Sequence, residues 1–158
     1  MRLHEIMTTD VKTASPNDDA DLAYHRMRAQ RIRHLVVMEA KHVVGVLSER
    51  DLGGAGGAPL RAGKTVGELM ARQAVTAKPT TTVREAANLL RARTIGCLPI
   101  LQDSKLVGIV TLTDLLEMLG RGAQLSPTEI SRWTPKHGSK WKPVRRIARP
   151  RPPPLFSR

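Results

Sequence analysis

Cysteine is almost missing: Cys97 stands alone among 158 residues, which excludes a disulfide framework and any zinc site built from several thiolates. Aromatic residues make up only 3% of the chain, so a core must be assembled from Val, Leu, Ile, Met and Ala. Apolar runs stop at four or five residues, Leu106–Val110 being typical, far short of the roughly 20 that a membrane-spanning helix needs. The opening Met1-Arg2-Leu3-His4-Glu5-Ile6 has no apolar stretch of the secretory-signal kind. The expectation is a chain with no membrane contact and a cytoplasmic address. Its 41% hydrophobic content suits a globular body rather than a disordered one.

Acidic residues are unevenly scarce. The net charge is +12, yet residues 121–158 hold ten basic residues against Glu129 alone, so the body carries only +3. Seven of the eleven prolines fall in the same segment. A near-neutral body with a basic, Pro-rich and partly disordered tail is expected. A short helix is expected to begin at Pro127, with Ser126 as cap and Glu129 at the third position. Trp133 and Trp141 lie among its lysines and arginines, and such side chains can stack on bases while cations meet phosphates.

The body repeats itself. Residues 6–52 align with 69–115 at a constant offset of 63 without gaps, and 13 of the 47 pairs are identical. Pairs at average composition would give roughly three. The identities include Met7/Met70, Pro16/Pro79, Ala23/Ala86, Leu35/Leu98, Gly45/Gly108 and Asp51/Asp114. Each copy predicts a helix after its proline, capped by Asp19 or Thr82, with stripes Ala20, Ala23, Met27 and Val83, Ala86, Leu90 at helical spacing. Apolar runs at 34–38 and 97–101 then read as buried strands, joined by polar turns to strands 43–47 and 106–110. A second helix starts at Ser48 or Thr111; in the first copy Gly53-Gly54-Ala55-Gly56-Gly57-Ala58-Pro59 cuts it short. That glycine run follows no strand and ends in no Gly-Lys-Ser/Thr, so it reads as flexible linker rather than phosphate loop. Thr65-Val66-Gly67-Glu68 is a capping box for a short helix leading into Met70. One copy is too small to hold a core, since domains below roughly 60 residues are marginal. An α/β body follows, with two repeats packed through their sheets in pseudo-twofold symmetry. The boundaries read as 1–57 for the first repeat, 58–64 for a linker, 65–120 for the second repeat and 121–158 for the tail.

The sharpest local signal is Gly45-Val46-Leu47-Ser48-Glu49-Arg50-Asp51 and its partner Gly108-Ile109-Val110-Thr111-Leu112-Thr113-Asp114, both at a strand-to-helix junction. A hydroxyl beside free N–H groups at a helix start suits a phosphate. A carboxylate one turn later suits a ribose diol. The same spacing also makes an ordinary helix cap, and the pattern alone leaves both readings open.

With these motifs in register, together with the Glu-Ile-Met and Glu-Leu-Met starts, the Thr-x-x-Pro segments and the Cys97-Leu98-Pro99-Ile100 strand, residues 1–120 resemble a tandem pair of cystathionine-β-synthase (CBS) domains, a Bateman module. The tail has no counterpart in that pattern. The resemblance implies β-α-β-β-α repeats and two clefts for an adenine-containing ligand: AMP, ADP, ATP or S-adenosylmethionine. It further implies that Thr13-Ala14 and Thr76-Ala77 lie near the base, and that His34-Leu35-Val36 and Cys97-Leu98-Pro99 form another wall. Asp51 and Asp114 would hold the ribose, with Ser48 and Thr111 approaching the phosphate. Arg50 adds a cation to the first cleft where Thr113 adds none to the second, and Val36 replaces the strand proline found as Pro99. The expected function is a non-catalytic regulatory module that modulates association with itself, as a homodimer of pairs, or with a partner protein. The competing expectation is a nucleic-acid-binding protein whose tail is active and whose repeats are a dimerising scaffold.

No nucleophile–base–acid constellation is present, and His4, His25, His34 and His42 show no metal-ligand spacing. Neither catalytic nor metal-binding residues are expected. Cys97, on a strand, reads as an inert small hydrophobe.

Overall fold

A computed structural model describes residues 1–122. The expected tail helix at Pro127 and both tryptophans lie outside them. Each repeat builds a hairpin and lays a helix on it. In the first, β1 (Thr13–Ala14), α1 (Ala20–Ala29), β2 (His34–Glu39) and β3 (His42–Ser48) follow in order. A 3-10 turn at Gly54–Gly56 and a single helical turn, α2 (Ala58–Arg61), come next. Then α3 (Val66–Leu69) and β4 (Ala71–Arg72) lead into the second repeat, with α4 (Val83–Arg93), β5 (Cys97–Gln102), β6 (Lys105–Thr111) and α5 (Leu112–Gly122). No helix among the described residues is long and apolar enough to cross a membrane.

Local chemistry accounts for these elements. Asp19 accepts the Leu22 N–H at 2.9 Å and caps α1. Thr82 and Glu85 satisfy each other's backbone N–H groups and cap α4. The bonded Thr82 amide holds the Glu85 carboxyl below the usual carboxylate range, and the Thr65 amide does the same for Glu68. Both hairpins turn on two residues with positive φ, Ala40 and Lys41 in one, Asp103 and Ser104 in the other, as the right-handed twist of the strands demands. Each β2–β3 and β5–β6 register slips at corresponding points, Val37/Met38 and Ile100/Leu101.

The repeats exchange their leading segments. β4 follows α3 but pairs with β3 of the first repeat, Val46 opposite Ala71. Symmetrically, Thr8 at the start of the chain bridges to Ile109 in the second repeat. The cores follow suit. Val66 is fully buried with Ala14, Ala23, Met27, Leu35 and Leu47, whereas Leu3 is fully buried with Leu90, Leu98, Ile100 and Val110. The packing units therefore differ from the linear repeats: residues before Thr8 complete the second half, and residues 66–72 complete the first. This crossing explains both motif glycines. A Cβ on Gly45 would lie 2.6 Å from the Ala71 carbonyl oxygen, and one on Gly108 would lie 2.6 Å from Met7 Sδ. The glycines admit the exchanged strand.

The two sheets meet through Val36, Cys97 and Ile109, flanked by Met38, Val43, Val46 and Leu106. The expected packing of repeats through their sheets is what the molecule has. The linker differs from expectation. Ala58–Arg61 is helical, and Arg61 is the buried charged residue of the described chain, at 2% exposure.

Candidate functional site

The hydrogen bonds inside the two Gly-to-Asp motifs match in pattern and, to within 0.2 Å, in length. At the end of β3, the Ser48 N–H and hydroxyl both donate to Asp51 Oδ2, at 2.8 and 2.7 Å, and the Asp51 N–H donates to Ser48 Oγ at 3.3 Å. At the end of β6, the Thr111 N–H and hydroxyl donate to Asp114 Oδ2 at 2.6 and 2.8 Å, and the Asp114 N–H returns a bond of 3.3 Å. Both pairs make cap-type contacts, Thr111 and Asp114 at the start of α5 and Ser48 and Asp51 around a single turn, because the helix expected after Ser48 does not form ahead of the glycine run. The Glu49 and Leu112 N–H groups are also committed, to the Arg33 and Gly96 carbonyls at 3.0 Å each. The capping leaves something over. Oδ1 of each carboxylate takes part in none of these bonds, and Asp51 and Asp114 are only half-buried. A diol can be accepted there without breaking the cap.

The remaining expected residues divide by depth. Thr13 and Thr76 are exposed, and His34, Ser48 and Thr111 are half-buried. Ala14 and Ala77 are buried and pair with β2 and β5, at Val37 and Ile100. Leu35 and Leu98 are fully buried in the two hydrophobic cores, which takes their side chains off any ligand-facing wall. Val36 and Pro99 are fully buried as well, Val36 in the seam between sheets. Unbroken apolar strands conceal which side faces outward, and so the sequence groups all three residues of each wall together. Two surface depressions, of about 260 and 370 Å³, lie elsewhere, one beside Asp18, Leu22 and Arg26 and one beside Glu39, Met70 and Arg72.

His34 and Cys97 occupy equivalent positions, and both feel the charge of Asp51. Burial is the main influence on each. It pushes the His34 pKa down, with the Asp51 charge opposing, and pushes the Cys97 thiol up to about 12, with Asp51 adding to the effect. Cys97 is therefore a protonated, inert filler at neutral pH. The His34 ring rests on Gly96 of the other repeat, where a Cβ would lie 2.6 Å from Nε2. Gly96 leaves room for that ring.

The surroundings of the two motifs differ in charge. Beside the first, Glu49 accepts a hydrogen bond from Arg28 at 3.5 Å and lies 3.9 Å from the Arg33 guanidinium, and Arg50 is exposed. Beside the second, Leu112, Gly96 and Thr113 replace Glu49, Arg33 and Arg50, while Arg91 is the counterpart of Arg28. Sequence comparison isolates Arg50 but misses Arg33 and Glu49, which come together only through the fold. Among the described residues, no group of three His, Cys, Asp or Glu side chains converges on a metal position.

The fold is thus a duplicated α/β hairpin-and-helix unit with exchanged edges and a hydroxyl–carboxylate pair at the end of β3 and of β6. The chain belongs to the CBS-domain family, whose model matches residues 3–54 and 66–121. The CBS domain-containing protein YhcV of Bacillus subtilis is 34% identical over 130 residues, covering 80% of this chain and 93% of YhcV. Inosine-5'-monophosphate dehydrogenase of Thermoplasma acidophilum is 30% identical over 116 residues, 73% of this chain but only 23% of the enzyme. Among solved structures, the CBS domain pair of MJ0100 in complex with 5'-methylthioadenosine and S-adenosyl-L-methionine superposes with a TM-score of 0.70 at 25% identity, covering 77% of this chain and 98% of that one. CBSX2 in complex with AMP gives 0.66 at 26% identity, covering 76% and 96%.

Proposed function

We propose that this chain is a non-catalytic regulatory module that binds an adenine nucleotide or nucleoside (AMP, ADP, ATP or S-adenosylmethionine) in clefts bounded by the two repeats. Binding then alters its association with a second copy or a partner protein. The observation that carries the reading is the duplicated hydroxyl–carboxylate pair, each with one carboxylate oxygen uncommitted by the cap. The AMP and S-adenosylmethionine complexes of CBSX2 and MJ0100 support the ligand class. The inner set of contacts is Ser48, Asp51, Thr111 and Asp114, with Thr13, Ala14, Thr76 and Ala77 toward the base and His34 and Cys97 at the seam. Arg50 and Arg33 favour a phosphorylated ligand at the first cleft, and the second cleft, with Thr113 and Gly96 at those two positions, suits a nucleoside. A ligand regulates association only through a difference in affinity between two arrangements, typically 1–3 kcal/mol. Thermal shift of the full chain against the four ligands tests the reading. A ligand present at 100 times its Kd adds about 2.7 kcal/mol of stability, and none of the four shifting the transition refutes it.

A further inference from the structure

The glycine run after Asp51 is closed around a buried cation. Arg61 Nε donates to Asp21 Oδ1 at 2.8 Å, and its Nη1 donates to the Leu52 and Gly54 carbonyls, each at 2.8 Å. Its guanidinium lies 3.8 Å from the centre of the Tyr24 ring, a desolvated cation–π contact. The bond from Arg61 holds the Asp21 carboxyl below the usual range. Asp21 and Tyr24 belong to α1, while Leu52 is the residue after Asp51. One side chain therefore spans the helix of the first repeat and the chain leaving its Asp51 turn. The loop fits without slack: a Cβ on Gly57 would lie 2.0 Å from the Leu52 carbonyl oxygen, and Gly53 sits at φ +72.

Among the described residues the second repeat has no such device: Asp114 stands in the first turn of α5, an 11-residue helix. In the first repeat the corresponding chain makes one turn, with the Gly53 and Gly54 N–H groups bonded to the Arg50 and Glu49 carbonyls, before the glycines end it. A cation against the last carbonyls of a turn is favourable for the same reason that one is at a helix C-terminus. Buried ion pairs add little net stability over an apolar replacement. What Arg61 supplies is direction, through a planar fork that fixes two carbonyls and one carboxylate together.

We infer that Arg61 is a positioning residue of the first cleft, fixing the turn that presents Asp51 by tying it to α1; this rests on the nucleotide-binding reading above. The first cleft then depends on a linker side chain and the second on a helix, so the two are separately adjustable. The test is isothermal titration of the full chain with whichever of AMP, ADP, ATP and S-adenosylmethionine the wild type binds most tightly. In an Asp114→Ala background, which isolates the first cleft, Arg61→Lys is expected to weaken binding about tenfold, since Lys keeps the charge but loses fork and stacking. In an Asp51→Ala background the same change is expected to alter affinity less than twofold. Hydrogen exchange of amides 52–57 without ligand is expected to quicken. If Arg61→Lys does not fold, Asp21→Asn, which keeps the cation but weakens its anchor to α1, serves as the second variant with the same expectations. Unchanged first-cleft affinity, or equal weakening at both clefts, overturns the positioning role. A wild type that binds none of the four overturns it through its premise, and that failure is recognised by the wild type alone.

Discussion

Replacing Leu3 with Ala should cost the chain about 2–3 kcal/mol, although substitutions so near a terminus are ordinarily absorbed. Leu3 has no exposed surface and packs in the second core with Ala86, Leu90, Leu98, Ile100, Val110 and Leu115. Truncating a fully buried leucine costs roughly 2–5 kcal/mol, depending on how far the site collapses. A terminal 3-10 turn, held by the Leu3 N–H on the Thr81 carbonyl at 2.9 Å, relaxes more readily than a helix interior, which places the cost in the lower part of that range. For a body of this size each kcal/mol moves the melting temperature by roughly 3–5 °C, so a fall of about 6–15 °C is expected by circular dichroism. The location of the damage matters more than its size. Hydrogen exchange should quicken most in β5 and β6, the strands farthest from Leu3 in sequence. Val66→Ala, at roughly 1.5–3 kcal/mol, should loosen β2 and β3 instead. A chain ending at Gly57 should not fold, because it carries Leu3 without its core and lacks Val66 and β4. A cost below about 0.5 kcal/mol for Leu3→Ala, as at an exposed site, or exchange quickening in the first repeat, would refute the strand exchange.

Two further expectations follow from charge. Burial pushes the His34 pKa down, the Asp51 charge opposes and the Arg33 charge adds to the shift, and the ring lies against Gly96. With its folded pKa below 6.5, His34 contributes stability that is complete above that pH and declines as the pH falls toward the folded value. His34→Gln should therefore flatten the loss of stability as the pH falls below about 6.5, seen in urea midpoints, and an unchanged slope would remove His34 as its source. Truncation after Gly122 removes the basic tail but leaves Ser48, Asp51, Thr111 and Asp114 in place. Nucleotide affinity should change only by a salt-screened Coulomb contribution. Retention of nucleic acid at physiological salt by the full chain, lost on truncation and paired with no nucleotide binding, would favour the tail as the functional part.

Much of the fold could be read from residue order, because caps, hairpin turns and the offset of 63 are local or translational signals. Asp19, Thr82 with Glu85, and the paired strands all lie where those signals put them. The exchange of edges was not legible. Met7-Thr8 and Met70-Ala71 align with each other whichever copy they pair with, so the repeat is blind to the crossing. Arg61 was hidden for a different reason: arginine amid Gly, Ala and Pro reads as solvated linker, and only Asp21 and Tyr24, forty and thirty-seven positions earlier, reveal a binding place for it. At the site, the hydroxyl–carboxylate spacing was plain. Its internal hydrogen bonding was open until the geometry chose the cap, and the burial of Leu35 and Leu98 required knowing which face of each strand met a core.

The nucleotide reading turns on two carboxylates. In titration calorimetry of the full chain, Asp114→Ala should weaken the second cleft and Asp51→Ala the first, each by about 1.5–3 kcal/mol as charged hydrogen bonds are lost, or roughly ten- to 150-fold in Kd. Each should also lower the melting temperature modestly through its lost cap. Selective loss of one binding event per substitution is the expected result. If both substitutions lower stability while every measured affinity stays unchanged, Asp51 and Asp114 are caps and nothing more.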